Sequence, residues 1–157
     1  MISFDDYLFY VDDALEGMVS IVQELGDERA NRRLALDGSN SPYGILNHCL
    51  GVMEFWGGHA VAGRTITRDR PAEFTASGPV DELVNRVRLA QRRLREDIAD
   101  VESKAPPRGE MSAKNKQVPS GSSQGGALFH MYEELAQHRG QMEISRDVIL
   151  ADWAKFA

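Results

Sequence analysis

Residues 124–150 read QGGALFHMYEELAQHRGQMEISRDVIL. Wound as an α-helix, this stretch sets Leu128, Met131, Leu135, His138, Met142 and Ile149 along one face. One of those inward positions is therefore a histidine. Glu134 precedes His138 by one helical turn, so the two side chains leave adjacent turns about 6 Å apart along the axis and can reach a common ion. Far upstream, Ile45, His48, Val52 and Phe55 are spaced by alternate steps of three and four, which turns a second histidine inward. Two inward histidines and a carboxylate on two helices suggest a metal site in the core of a helical bundle.

The rest of the chain supplies the other helices. Phe4, Leu8, Val11, Leu15, Met18, Val22 and Leu25 predict a long amphipathic helix with acidic residues in its first turns, which Gly26 ends or bends. Residues 27–38 carry no clean stripe and read as a short helical turn, with turn chemistry at Asp37-Gly38-Ser39-Asn40. Ser41-Pro42 then opens the His48 helix, because the serine hydroxyl can cap free backbone donors and proline at the first position lacks a donor that would be orphaned. This helix is expected to run to about Gly63. Arg64 to Gly78 has no usable period and reads as a connection that could form part of a rim. Asp81 and Glu82 open a third helix carrying Val80, Val84, Val87, Leu94, Ile98 and Val101. Its arginines read as a solvated face, with Arg92–Glu96 and Arg93–Asp97 as ordinary pairs one turn apart. Pro106-Pro107 stops the pattern, and Arg108 to Gly126 is a loop rich in Gly, Ser, Lys and Pro. The last helix enters near Ser123 and has a candidate break at Ala151. Four amphipathic helices with few strand signals and no internal repeat predict an all-α four-helix bundle, which at 157 residues fits one domain spanning 1–157.

Composition narrows the functional classes. The 24 acidic residues against 18 basic ones give a net charge of -6 with no basic patch, which argues against a nucleic-acid partner. A single cysteine excludes an internal disulfide framework and fits a reducing compartment. Met1 to Asp12 lacks a basic segment followed by a long apolar run, so no secretory signal is expected. Nothing is apolar over a membrane-spanning length, so no membrane partner is expected either. The expectation is a soluble cytoplasmic protein, with the oligomeric state open and a homodimer among the options.

Spacing alone leaves two readings of the histidines. Glu134 beside an inward His138 would be costly to bury unless paired with a cation or a metal, and His48 would supply a third donor. Alternatively, Glu134 pairs with an arginine such as Arg139 at the surface, and His138 is an isolated, hydrogen-bonded core residue. His130 continues the row one turn earlier, but it lies about 12 Å from His138 in rise and cannot share one ion with it. His138 occupies the deeper seam, so His130 is the candidate for an entrance or proton-transfer role. His59 lies about 16 Å beyond His48 along the same face and reads as a packed or partly exposed histidine. Cys49 points about a quarter-turn from His48 and reads as a small buried side chain. Phe55, Trp56 and Tyr132 read as core or pocket wall. No phosphate-cradling loop, Cys-x-x-Cys pair or nucleophile elbow is present, and the Glu-x-x-His pairs of a di-iron bundle are missing.

Three blocks carry a family resemblance. Ser41-Pro42-Tyr43-Gly44-Ile45-Leu46-Asn47-His48, followed by Val52-Met53-Glu54-Phe55-Trp56, resembles the second helix of the DinB-like metalloenzymes, especially their mycothiol-transferase branch. Arg68-Asp69-Arg70-Pro71-Ala72-Glu73-Phe74 is similar to the connection after it. His130-Met131-Tyr132-Glu133-Glu134-Leu135-Ala136-Gln137-His138-Arg139-Gly140-Gln141 looks like the family's last metal-binding helix. The resemblance implies a DinB-like bundle in which His48, Glu134 and His138 hold a divalent metal. Many DinB-like proteins have histidine at the place of Glu134, whereas the glutamate is like the mycothiol-dependent maleylpyruvate isomerase, a longer enzyme with an additional C-terminal domain. It further implies a small-molecule thiol, mycothiol in this branch, as cosubstrate and an electrophile as its acceptor. Zinc suits two imidazoles and a carboxylate, with nickel the other candidate. A metal-binding or stress-responsive bundle without turnover is the alternative reading.

Overall fold

The computed structural model describes residues 3–153, with side chains through residue 151. Helix α1 spans Phe4–Ala30. Ser3 Oγ accepts from the Asp6 backbone N–H at 3.0 Å and the Asp6 carboxylate reaches back to the Ser3 N–H, so the first turn is closed by reciprocal caps. Gly26 bends α1 without ending it: its φ of 67° is left-handed backbone that suits glycine. Just past the bend, Asp27 Oδ1 accepts from the Val80 N–H at 2.8 Å, which ties the end of α1 to the start of α4, Val80–Asp97.

Helix α2, Pro42–Met53, starts as expected, with Ser41 Oγ accepting from the Gly44 N–H at 3.1 Å and Pro42 in the first turn. Every residue of α2 except Gly51 is buried, because α1, α4, the short segment Arg70–Thr75 and the last helix, Gln124–Trp153, pack around it. The helix then changes winding. Glu54–Val61 is π-helical, and the Ala62 N–H still donates five residues back to the Gly57 carbonyl at 3.0 Å. A π turn takes more residues than an α turn, so side chains beyond Glu54 drift out of register with the His48 face.

The connection after α2 is not all loop. Arg70–Thr75 forms α3, capped by Asp69, whose carboxylate accepts from the Ala72 N–H at 3.1 Å. After α4 come a short α5, Pro119–Ser122, and the long α6, Gln124–Trp153. Among the described residues there is no strand. The four long rods are α1, α2 with its π extension, α4 and α6, and they enclose a core that includes Leu15, Met18, Ile45, Leu46, Leu83, Met131, Leu135 and Met142, all fully buried. Each such side chain contributes about 1.5–3 kcal/mol by leaving water, so the bundle is held mainly by this seam.

Several local expectations are corrected. Helix α4 stops at Asp97, leaving Ile98 as a buried cap residue and Val101 beyond the helix, and α6 passes Ala151 without a break. Arg93 does not pair with Asp97. Arg93 instead approaches Glu54 at 3.3 Å, while Asp97 is gripped by Arg64 through two contacts of 2.9 Å. Arg88 and Arg95 likewise reach across to Glu16 and Asp12 on α1. The arginine-rich face of α4 thus cross-links helices, because neighbouring rods present carboxylates closer to these guanidinium groups than the next turn does.

Candidate metal centre

His48 sits in the middle of α2 with its side chain 1% exposed. Phe74 of α3 stacks on one face of the imidazole at 4.0 Å, and the His138 ring meets it edge-on at 4.9 Å. Its Nδ1 lies 2.7 Å from Glu73 Oε2. With Nδ1 engaged, Nε2 remains as a buried nitrogen without a hydrogen-bond partner. That atom faces Glu134 Oε2 at 3.6 Å, and His138 Nε2 approaches the same oxygen at 3.4 Å. Gln141 Oε1 accepts from His138 Nδ1 at 2.9 Å, which turns His138 Nε2 toward Glu134.

The donor atoms of His48, Glu134 and His138 all lie within 4.8 Å of one another. Donors placed tetrahedrally at about 2.0–2.1 Å from a zinc ion stand about 3.4 Å apart. The 3.4 and 3.6 Å separations from Glu134 Oε2 match that spacing, and the two imidazole nitrogens, within 4.8 Å of each other, would draw closer around a small divalent ion. An orphaned imidazole nitrogen inside a protein is costly unless something accepts its lone pair, and a cation at this point would do so. The residues present fit a metal.

Charge distribution in the cluster has the same sense. Contact with His138 holds the Glu134 carboxyl well below the usual carboxylate range despite its partial burial, while His48, with Nδ1 on Glu73, leaves an unpartnered Nε2 beside it. Burial works against a charge on His138, but the contacts with Glu134 and Gln141 outweigh it and raise the imidazole above its ordinary value. The metal-free cluster thus favours a proton on His138, which a bound cation would displace.

The other candidates separate from this group. His130 lies outside the cluster: its Nε2 is 3.5 Å from Oε1, the opposite oxygen of Glu134, its Nδ1 bonds Glu133 at 2.9 Å, and its ring abuts buried Trp56. His59 has left the His48 face through the π winding, and its two ring nitrogens lie against the carbonyls of Arg64 and Glu110 at 2.9 and 3.0 Å. Cys49 is fully buried beside Met18, and burial, followed by the nearby Glu134 charge, pushes its thiol far up, which suits an inert core residue. Arg139 turns away from Glu134 and binds Asp13 and Glu143. The sequence reading did not single out Glu73, which reaches His48 from α3 while Arg68 grips it at 2.7 and 3.0 Å. The signal for α3 was Asp69 followed by Pro71, a helix-start pair in front of a segment too short to show a period.

Comparison with known families adds to this geometry. A family model described as Mycothiol-S-transferase matches residues 7–151, a span that includes His48, Glu73, Glu134 and His138. No curated protein matches the chain. Among the described residues, no helix is long and apolar enough to cross a membrane.

Proposed function

The chain belongs to the mycothiol-S-transferase family, and on that premise we propose that it transfers a small thiol, mycothiol in the first instance, to an electrophile at a divalent metal held by His48, Glu134 and His138. The observation that carries this reading is the buried, unpartnered Nε2 of His48 facing the Glu134 oxygen that His138 also approaches. Bound there by three protein donors, a divalent ion would keep a position open and favour the thiolate form of an arriving thiol. Zinc suits this donor set, and nickel is the other candidate.

The chain's own groups supply the rest. Glu134 contributes negative charge that offsets the cation, Phe74 covers one face of the His48 imidazole, and Trp56 packs edge-on against His130. His130, 30% exposed and with Nδ1 bound to Glu133, presents Nε2 toward the centre and is the group placed to take the thiol proton. His130→Ala is therefore expected to retain the metal while slowing transfer by about 100-fold or more, in keeping with the usual contribution of a general base. Metal content and single-turnover rates check this. Loss of the metal in that variant would mean that α6 contributes a different pair of ligands.

Zinc titration against a competing chelator, repeated across pH, tests the centre itself. One ion per chain is expected, with apparent affinity rising by up to about tenfold per pH unit while His138 still carries its proton. The sign follows from the raised His138 value. Its contact with Glu134 stabilises the metal-free fold at low pH and is lost as pH rises through the folded value, whereas the Glu134 contribution, with its depressed value, is lost only on strong acidification. The thermal gain on loading should consequently grow from mildly acidic to mildly alkaline pH. Zinc uptake that ignores pH across this range would place the ion elsewhere.

A further inference from the structure

We propose that Glu73, clamped by Arg68, is the positioning residue that fixes the tautomer and aim of His48, and that Gly51 is the residue that makes room for it. The inference rests on the metal role given to His48 above, but it concerns a different set of atoms. A carboxylate only accepts hydrogen bonds, so its 2.7 Å contact requires the proton on His48 Nδ1 and leaves the lone pair of a neutral imidazole on Nε2. Nε2 is the atom directed at Glu134 and His138.

Three further features hold the carboxylate in that place. Arg68 donates from Nε to Glu73 Oε1 at 2.7 Å and from Nη2 to Oε2 at 3.0 Å, a bidentate grip that fixes the plane of the carboxylate. Asn47 Nδ2, one residue before His48, donates to the Glu73 backbone carbonyl at 2.9 Å and docks α3 on α2. On the third side a Cβ added at Gly51 would lie 2.1 Å from Glu73 Oε1 and 2.4 Å from its Cδ. Glycine is a poor helix former, yet it occupies the last turn of α2 at the one position of that helix that is not buried, where the carboxylate passes. Stacked Phe74, the next residue, prevents the imidazole from rotating away. A ligating histidine held by a carboxylate through its other nitrogen is a better donor, and loss of such a partner typically costs 10–100-fold in metal affinity.

The test compares wild type, Glu73→Gln and Gly51→Ala by two readouts. Long-range proton–nitrogen NMR on the metal-free proteins reports the His48 tautomer, and chelator competition reports zinc affinity. Wild type is expected to hold the proton on Nδ1. In Glu73→Gln the amide can donate as well as accept, so the tautomers should mix and zinc affinity fall about 10–100-fold. Gly51→Ala keeps Glu73 and adds a better helix former, yet it must push the carboxylate off His48, so the same two changes are expected. An unaltered Nδ1–H tautomer together with zinc affinity within about threefold of wild type in both variants would overturn the proposal. If wild type takes up no zinc, the metal reading fails, and the tautomer comparison alone still decides the role of Glu73.

Discussion

Replacing His138 with alanine is expected to abolish tight zinc binding and thiol transfer together, while leaving a folded bundle. His138 lies on α6 at the level of His48, and its Nε2 shares one Glu134 oxygen with His48 Nε2. Without it the cluster keeps one imidazole and one carboxylate, too few for a catalytic zinc site built on three protein donors. The loss should exceed the 10–100-fold that follows removal of a supporting group outside the ligand set. Stability supplies the second readout, because the proposed ligands come from α2 and α6 and an ion would tie the two helices. With free zinc at about a hundred times the dissociation constant, linkage gives about 2.7 kcal/mol, or roughly 5–10 °C in a chain of this size. Wild type should show that gain and His138→Ala should not. His59→Ala is the matched control. It removes an imidazole N–H that donates to the Arg64 or the Glu110 carbonyl, a bond worth about 0.5–1.5 kcal/mol, so it should lower the melting temperature while retaining the zinc-dependent gain. A full thermal gain in His138→Ala would remove His138 from the site.

The parts of this protein that sequence made legible are those where one helix repeats long enough to show a face. The stripes of α1 and α6 and the Ser41-Pro42 start of α2 appear where their periods and caps place them. The proximity of Glu134 and His138 follows from a one-turn offset on a single helix, and the approach of His48 follows from both faces turning into one core. The features that escaped depend on neighbours. No residue type announces that α2 will change to π winding at Glu54, so His59 appeared to share a face it does not share. Helix α3 is only six residues long, too short for periodicity, although it delivers Glu73 and Phe74 to His48. Pairing on α4 failed for a related reason: one-turn spacing sees only partners on the same helix, and Arg93 and Asp97 found theirs on the π segment and at Arg64.

This dependence on neighbours also bears on whether the centre performs chemistry. A closed structural site would satisfy every coordination position with protein, whereas the cluster here provides three donors, with Glu134 25% and His138 17% exposed on the α6 side. His48, by contrast, is sealed behind Phe74 and Glu73. The buried side thus fixes the geometry, and the solvent-facing part of the cluster is the pair Glu134 and His138 on α6.

Titrating cobalt-loaded protein with small thiols is expected to produce a sulfur-to-metal charge-transfer absorption, with release of about one proton per thiol bound. Cobalt is chosen because it accepts the same nitrogen and oxygen donors as zinc but absorbs visible light. Mycothiol should give the effect at the lowest concentration if the family assignment extends to the cosubstrate. A thiol of ordinary acidity is mostly protonated at neutral pH, so proton release marks conversion to the nucleophile and separates sulfur binding from adventitious contact. Cys49 cannot supply the signal, since it is fully buried against Met18 and absent from the three-residue cluster. His138→Ala should lack the band because it lacks the metal. His130→Ala should retain the band with slower transfer, since its part is to carry the proton and not to hold the ion. A fully loaded protein that develops no such band with mycothiol or with any other small thiol would turn the reading to a bundle that binds metal without transferring sulfur.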